Sequence, residues 1–345
     1  MEIEEHKPLA PLTTLGVGGS ARWFAQATTE DEVAAAAAWV RAHNVPLFVL
    51  GGGSNLLVSD TGFGGLVLHM RLPGIDLDAP SGRVSAAAGE DWDRCVQRAV
   101  EANLAGIECL AGIPGSVGGT PVQNVGAYGQ EVDSVIQQVR AFDTVEARFV
   151  EIPAAACGFS YRRSRFNTVD RGRFIVTRVH YRLTPGGTPA LHYADLQRAF
   201  PAGAHPSLVE VAEAVRRIRS AKGMLLVEND PDCRSAGSFF KNPVVALEQA
   251  QAIAAAAGKQ PPQYPAGTGQ VKLSAAWLIE QAGFTKGFAC GAAGLSSKHT
   301  LALVNRGGAH AADLLVLARQ IRGTVDQRFG VMLEMEPVLL GEFSS

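Results

Sequence analysis

Two glycine-rich stretches stand out in the sequence: LGGGSNLLV at residues 50–58 and GIPGSVGGTPVQNVGAYG at residues 112–129. In the first, three consecutive glycines separate two apolar runs, so several backbone N–H groups can face one side and bind phosphate oxygens without basic side chains. A tight turn without a ligand would satisfy the same pattern, although three glycines increase the entropy lost on folding. The first stretch therefore predicts either an anion site or a plain turn.

The second stretch contains six glycines, two prolines and no charged residue in 18 positions. Its composition excludes a regular helix or strand, because glycine weakens both and proline removes a backbone donor. A long, ordered, weakly charged loop within a compact domain is usually functional. An Ω-loop that is packed for structure alone is the alternative.

Composition limits the classes of protein to consider. The 345 residues suggest two or three domains, and 47% apolar with 19% charged residues is a globular composition. The net charge of −2 argues against a nucleic-acid binder. No apolar run is long enough for a membrane span, and the acidic start MEIEEHKPLA is unlike a signal peptide, so we expect a cytoplasmic protein.

The cysteines and histidines predict neither disulfides nor a metal site. The five cysteines include no C-x-x-C pair, and the eight histidines include no H-E-x-x-H motif. Residues 16–21 fit the G-x-G-x-x-A form of a dinucleotide-binding fingerprint. Two prolines and no apolar run precede them, so a turn is predicted within residues 8–28 instead.

Hydrophobic periodicity predicts a mixed α/β (α+β) chain. A capping box at Thr29-x-x-Glu32 opens the first helix, which ends near Asn44. Further helices are predicted at about 92–100, 207–221, 245–257, 274–283 and 311–328. Strands are predicted at about 47–50, 56–58, 66–68, 83–88, 134–142, 147–152, 174–183, 301–304 and 331–340, and a linker at 201–206.

Three further motifs have ordinary structural explanations when taken alone. GFSYRRSRF at residues 158–166 is typical of a solvated basic edge, and AGSFFKNP at residues 236–243 of a turn or helix cap. In VMLEMEPVLL at residues 331–340, a spacing of two places Glu334 and Glu336 on one strand face. Unpaired burial of two carboxylates is costly, so a cation or polar site should lie opposite.

Taken together, these motifs resemble the UDP-N-acetylenolpyruvylglucosamine reductase family, type I, of the vanillyl-alcohol-oxidase-like FAD-binding superfamily. The shared patterns are L-G-x-G-S-N-x-L, G-I-P-G-x-x-G-G-x-x-x-Q-N-x-G-A-Y-G, G-S-F-F-K-N-P and the terminal L-E-x-E. The resemblance implies that FAD contacts both glycine-rich stretches. The residues concerned are Gly51, Gly52, Gly53, Ser54, Asn55, Leu56, Gly112, Ile113, Pro114, Gly115, Ser116, Gly118, Gly119, Asn124, Gly126, Ala127 and Tyr128.

The resemblance also implies catalytic and substrate-binding roles. Arg162 would face the substrate carboxylate, Ser238 would donate a proton, and Glu336 would be the catalytic glutamate, with Glu334 as the fallback. Many family members carry an acid where this chain has Arg163, which leaves open which guanidinium faces the substrate. LHYADL at residues 191–196 matches the type I loop whose tyrosine covers the substrate. The implied substrate contacts are Tyr193, Lys222, Asn242 and Tyr264.

The implied fold is a three-domain flavoprotein with a PCMH-type FAD-binding region and a C-terminal substrate-binding domain. FAD-binding subdomain 1 would cover residues 1–69 plus 329–345, FAD-binding subdomain 2 residues 70–206, and the substrate-binding domain residues 207–328. FAD is expected to be non-covalent, because residues 51–55 hold no histidine or cysteine for attachment, although Cys109 lies near the second stretch.

The implied activity is NADPH-dependent reduction of UDP-N-acetylglucosamine enolpyruvate to UDP-N-acetylmuramate for peptidoglycan, with FAD as cofactor and NADPH as co-substrate. We expect a monomer that uses no metal, nucleic acid or membrane. Two alternatives stay open: a sugar or alcohol oxidase of the same superfamily, and a non-catalytic nucleotide-sugar sensor.

Overall fold

The structure is a computed structural model that describes residues 1–343. The chain packs into two compact units. The first unit comprises Met1–Lys7, Ala21–Gly53 and Gly64–Ser220. The second comprises Pro8–Ser20, Ser54–Phe63 and the described residues from Ala221 onward. The functional domain boundaries at residues 69/70, 206/207 and 328/329 stay a prediction.

The predicted helices are confirmed, and one short helix was missed because its sequence has no clear period. The helices are α1 (Glu30–His43), α2 (Trp92–Glu101), α3 (Ala194–Ala199), α4 (Leu208–Ala221), α5 (Leu247–Ala257), α6 (Ala275–Gln281) and α7 (Ala311–Phe329). The predicted capping box opens α1: the Thr29 hydroxyl accepts a hydrogen bond from the Glu32 backbone N–H, and the Glu32 carboxylate accepts one from the Thr29 N–H. The missed helix is α3.

The strands, in chain order, are β1 (Glu4–Pro8), β2 (Ser20–Ala27), β3 (Leu47–Leu50), β4 (Leu56–Val58), β5 (Phe63–Met70), β6 (Ile75–Asp78), β7 (Arg83–Ala87), β8 (Leu104–Ala105), β9 (Gly126–Ala127), β10 (Gln130–Glu131), β11 (Ile136–Asp143), β12 (Arg148–Pro153), β13 (Phe174–Arg182), β14 (Thr184–Pro185), β15 (Val244–Ala246), β16 (Gln263–Pro265), β17 (Gln270–Leu273), β18 (Ala289–Cys290), β19 (Ala293–Leu295), β20 (Leu303–Asn305) and β21 (Val338–Leu340).

In the first unit, an antiparallel sheet of five strands, in the order β12–β11–β13–β7–β6, packs against α2. Neighbouring side chains of a strand point to opposite faces, and within β11 Val139 is buried while Arg140 is half-exposed. The apolar stripe of α2 is buried as predicted, and the Trp92 ring lies 5.8 Å from the Tyr181 ring of β13. A smaller sheet has the order β1–β2–β5–β3, with β3 and β5 parallel.

The second unit has its own apolar core, to which α7 contributes a buried stripe. Three-stranded sheets β15–β17–β16 and β18–β19–β20 surround this core. The end of the chain returns as β21, which pairs in parallel with β4 through the Val338–Leu56 register.

Two sequence predictions need correction. Residues 8–28 contain the turn that was predicted, with Gly16 at φ 65°, but they also contain strand β2, which was missed. The predicted strand over 331–340 is regular only at Val338–Leu340. Residues 334–336 pair instead with residues 239–241, and Pro337, which has no backbone N–H, separates the two pairings. Strands β1, β6, β8 to β10 and β14 to β19 were also missed, because they are short and have no sustained alternation; β9 lies within the second glycine-rich stretch, where no strand was predicted.

None of the described helices is both long and apolar enough to cross a membrane. Within residues 1–343, no cluster of three or more histidine, cysteine, aspartate or glutamate side chains could hold a metal ion.

Candidate active site

The two glycine-rich stretches meet in the first unit, backbone against backbone. A β-carbon on Gly52 would lie 2.7 Å from the Cα of Gly115, a separation that real β-carbons do not adopt. Gly53 has φ 63°, which other residues adopt only with strain. No backbone carbonyl in the described part of the chain accepts a hydrogen bond from the backbone N–H of Gly52 or Gly53. Backbone N–H groups at positions without side chains can approach phosphate oxygens closely, so this turn fits the pyrophosphate of a dinucleotide cofactor such as FAD.

The second stretch is held by backbone hydrogen bonds on one side and open on the other. The N–H groups of Val117 and Gly118 donate to the carbonyl oxygens of Glu90 and Ala88 at 2.9 and 3.0 Å. A β-carbon on Gly118 would lie 2.7 Å from the Ala88 β-carbon, whereas one on Gly119 would meet nothing within 4 Å. The loop is therefore fixed in place and presents an open surface at Gly119.

Asn124 is buried and uses its side chain within the protein. Its Nδ2 donates to the Glu131 carboxylate at 2.8 Å, and its Oδ1 accepts from the backbone N–H of Asp133 at 3.1 Å. Its φ is 45°, and that of Tyr128 in the same stretch is 49°. Left-handed conformations of non-glycine residues cost free energy and cluster at functional sites. These contacts make Asn124 a support for the loop, and its contact with FAD stays a prediction.

The structure distinguishes the two candidate arginines. Arg162 is half-buried with φ 57°, and its Nη2 donates to the Gly126 carbonyl at 2.8 Å. Its guanidinium lies 5.3 Å from the centre of the Tyr161 ring. The Arg163 side chain is exposed. Arg162 is thus the arginine attached to the predicted cofactor loop.

Tyr193 contacts the same stretch through an aromatic pair. Its ring lies edge-on to the Tyr128 ring, with centroids 5.4 Å apart and planes at 85°. Tyr128 is 8% exposed, and this burial raises the pKa of its hydroxyl to about 12 despite the nearby Arg219. The predicted covering tyrosine therefore packs directly on a predicted FAD-binding residue.

Arg219 supports the second glycine-rich stretch, a role that the sequence did not predict. It lies on α4, is buried, and its Nε donates to the Gly112 carbonyl at 3.0 Å. A signal was present, because Arg219 follows Val215 by four residues and so belongs to the apolar face of the helix. A charged residue at a buried position needs a partner, and that partner is 107 residues away in the sequence.

Cys109 is a poor candidate for covalent attachment of a flavin. Its side chain is buried, and its Sγ donates to the Ala190 carbonyl at 3.3 Å. Burial raises the pKa of this thiol far above its ordinary value, so that the reactive thiolate is suppressed.

In the second unit, a short antiparallel pairing brings the other two catalytic candidates close together. The Glu336 backbone N–H donates to the Phe239 carbonyl at 2.9 Å, and Phe240 pairs with Met335. Ser238 directly precedes Phe239 and is half-buried, as is Glu336. Arg162 belongs to the first unit, Ser238 and Glu336 to the second.

Glu334, the alternative catalytic glutamate, has a cationic partner, as predicted for the carboxylates of this segment. Lys241 Nζ lies 2.5 Å from the Glu334 carboxylate, and the Lys241 backbone N–H donates to the Glu334 carbonyl at 2.9 Å. The Glu334 side chain is 56% exposed, so the acid is not buried. Glu334 therefore pairs with the lysine of the serine motif.

The remaining predicted contacts belong to the second unit. Asn242 Oδ1 accepts from the Ala275 N–H at 2.9 Å at the start of α6. Tyr264 is half-exposed on β16, and Lys222 follows α4 directly. Asn55 Nδ2 donates to the Glu336 carbonyl at 3.2 Å, which ties the end of the first glycine-rich stretch to the catalytic candidate.

Two family models match the chain. The FAD binding domain model matches residues 21–148, which include both glycine-rich stretches. The model of the UDP-N-acetylenolpyruvoylglucosamine reductase C-terminal domain matches residues 229–340, which include Ser238 and Glu336.

Relatives match over almost the whole length. The UDP-N-acetylenolpyruvoylglucosamine reductase of Streptomyces coelicolor is 48% identical, over 97% of this chain and 89% of that protein. The same enzyme of Streptomyces avermitilis is 49% identical, over 97% of this chain and 94% of that protein. The crystal structure of the Thermus caldophilus enzyme has a TM-score of 0.70 and 29% identity, covering 99% of this chain and 100% of that one.

The fold, the paired glycine loops and these matches define an FAD-dependent oxidoreductase. More narrowly, the chain belongs to the UDP-N-acetylenolpyruvoylglucosamine reductase family. The expected mixed α/β flavoprotein fold, with its FAD-binding region and C-terminal domain, is confirmed by the same matches, whereas its division into three domains stays a prediction.

Proposed function

We propose that this chain reduces UDP-N-acetylglucosamine enolpyruvate to UDP-N-acetylmuramate, using NADPH and non-covalent FAD, for peptidoglycan synthesis. The observation that carries the proposal is the pairing of residues 239–241 with residues 334–336, which sets the Ser238 motif beside Glu336 within one unit. The protein would act in the cytoplasm as a monomer. Residues 1–69 plus 329–345 and residues 70–206 would bind FAD, and residues 207–328 the substrate.

The bound cofactor would lie on the two glycine loops. The N–H groups of Gly52 and Gly53, together with the open surface at Gly119, would receive the pyrophosphate. When bound and reduced by NADPH, FAD supplies the hydride that adds to the methylene carbon of the enolpyruvyl group. Non-covalent binding is supported by the absence of cysteine and histidine from residues 51–55 and by the buried thiol of Cys109.

Arg162 would stabilise the negative charge that develops in the substrate. As the methylene carbon gains a hydride, electron density moves to the neighbouring carbon and into the attached carboxylate. A fixed guanidinium beside that carboxylate lowers the energy of this charged state. The hydrogen bond from Arg162 to the Gly126 carbonyl supports the role, because it holds the guanidinium at the cofactor loop.

Ser238 would complete the reduction by donating its hydroxyl proton to the carbon next to the carboxylate. Hydride and proton together saturate the double bond, and the serine regains a proton from solvent or a neighbouring acid. Glu336 would orient the substrate or relay this proton. Its backbone is fixed by Phe239 on one side and by the Asn55 amide on the other.

Four residues would hold the rest of the substrate. Tyr193 would cover it, while Lys222, Asn242 and Tyr264 would contact the diphosphate and the sugar. The Asn242 Oδ1 already accepts a hydrogen bond at the start of α6, so its Nδ2 would be the atom that donates to a ligand.

NADPH oxidation, followed with and without UDP-N-acetylglucosamine enolpyruvate, tests the proposal. We expect rapid oxidation only when the enolpyruvyl nucleotide is present, with UDP-N-acetylmuramate as the product. Oxygen consumption with a simple sugar or alcohol would instead indicate an oxidase. Tight binding of the nucleotide sugar without any NADPH oxidation would indicate a sensor.

A further inference from the structure

Arg219 is a buried cation that the proposed mechanism does not use. It lies in the last turn of α4, only 8% exposed, on the helix face that also buries Val211 and Val215. Burial lowers the pKa of its guanidinium, which nevertheless stays charged at neutral pH because arginine starts from a very high value. A charge in such surroundings is retained only if its partners compensate the lost solvation.

The first partner of Arg219 is the second glycine-rich stretch. Its Nε donates to the Gly112 carbonyl at 3.0 Å, and Gly112 has φ 72°. The opposite side of the same residue is also held, because the Gly112 N–H donates to the Asp93 carboxylate at 2.6 Å. That carboxylate in turn pairs with Arg216, one turn earlier on α4. Both polar groups of Gly112 are thus held, the carbonyl by Arg219 of α4 and the N–H by Asp93 of α2.

The second partner of Arg219 is the hydroxyl of Tyr128, at the other end of that loop. Because the pKa of Tyr128 is raised to about 12, the phenol is neutral at physiological pH and its oxygen accepts from the charged guanidinium. The Tyr128 ring also carries the edge-on contact with Tyr193. One side chain therefore connects Gly112, Tyr128 and, through the aromatic pair, the covering tyrosine.

We propose that Arg219 is a positioning residue that fixes the orientation of Tyr193 through Tyr128 and so sets the affinity for the enolpyruvyl substrate. This inference rests on the proposed function. The planar guanidinium donates in two directions at once, toward Gly112 and toward Tyr128, whereas the single amine of lysine cannot reproduce that fork. Arginine is therefore required here for geometry rather than for charge.

The test compares Arg219→Lys with Arg217→Lys, a change to an exposed arginine on the same helix. In Arg219→Lys we expect the KM for the enolpyruvyl substrate to rise about tenfold, as for one lost hydrogen bond to a charged group. Flavin reduction by NADPH should change less than about twofold, because Tyr193 is proposed to contact the enolpyruvyl substrate and not NADPH. The dissociation constant of UDP-N-acetylmuramate, read from flavin absorbance, should rise with the KM. Arg217→Lys should match the unaltered protein.

Tyr128→Phe keeps the ring and the arginine, and it removes only the hydroxyl that joins them. It should raise the KM in the same direction, and the double variant with Arg219→Lys should be little worse than either single variant. If KM and product affinity are unchanged while FAD retention or melting temperature falls, Arg219 is only structural and the inference is wrong. Additive effects of the two changes would also overturn it. If the unaltered protein does not oxidise NADPH with this substrate, the proposed function fails instead.

Discussion

The backbone N–H of Glu336 donates to the carbonyl oxygen of Phe239 at 2.9 Å, so the end of the chain is fixed beside the serine motif. The adjacent pairing of Phe240 with Met335 sets the register, which leaves Ser238 next to the partner of Glu336. Backbone pairing of this kind positions a side chain more precisely than a free loop does. This pairing would allow two short motifs, almost 100 residues apart, to serve one reaction, as we propose.

Arg162→Ala should slow flavin reoxidation by the enolpyruvyl substrate by roughly 10²–10³-fold, because a fixed charge at the developing anion is lost. It should also weaken substrate binding, since in the proposed mechanism the guanidinium would contact the carboxylate before the reaction as well. Stopped-flow absorbance and substrate titration measure the two effects. Arg163→Ala is the matched control, because Arg163 is exposed, and it should leave both nearly unchanged. A large effect of Arg163→Ala together with a small effect of Arg162→Ala would assign the role to Arg163.

Tyr193→Phe should raise the KM for the enolpyruvyl substrate by up to about tenfold, the value of one hydrogen bond. Flavin reduction by NADPH should be affected less, and the ring contact with Tyr128 should persist. Steady-state kinetics together with anaerobic flavin reduction separate these effects. An unaltered KM would make Tyr193 a packing residue only.

Gly52→Ala should destabilise the protein by about 1–3 kcal/mol, because the added methyl group overlaps the backbone of Gly115. It should also lower FAD retention, since the two loops must move apart. Gly323→Ala, an exposed position inside α7 with open space around it, should instead stabilise by about 0.5–1 kcal/mol. Denaturant unfolding of both variants checks the pair. Equal changes in the free energy of unfolding for Gly52→Ala and Gly323→Ala would contradict the close approach of the two glycine-rich stretches.

Heating the purified protein should release free FAD into the supernatant, because neither the first glycine stretch nor Cys109 provides an attachment group. Cys109 should also resist thiol reagents in the native protein, since burial raises the pKa of its thiol. Flavin that stays with the precipitated protein would overturn non-covalent binding. Mass spectrometry of tryptic peptides would then locate the linkage.

Local patterns in the sequence predicted most of the regular structure. The Thr29 and Glu32 capping box opens α1, and the stripe that begins at Trp92 is the buried face of α2. These features depend on residues three or four positions apart, which a sequence displays directly. Strand β2 was missed, because its polar and apolar residues do not alternate regularly and its pairing partners are distant.

The supporting contacts of the site could not be predicted, because they join distant residues. Arg219 meets Gly112, and Lys241 meets Glu334, over separations of 107 and 93 residues. Asn124 matches a cofactor motif, yet the contacts of its side chain are with Glu131, Asp133 and Ser160. A motif predicts which residues gather at a site, whereas the packing decides which of them support the others.

Anaerobic stopped-flow absorbance of the flavin in Ser238→Ala tests the central claim most directly. NADPH should bleach the flavin at nearly the normal rate, because that half-reaction needs no proton from serine. Recovery of the flavin band on adding UDP-N-acetylglucosamine enolpyruvate should slow by more than the roughly 10²–10⁴-fold typical of general acid catalysis. Slow bleaching with normal recovery would place the serine on the NADPH side. Normal rates in both steps would contradict proton donation by Ser238 and leave Glu336 as the donor to test.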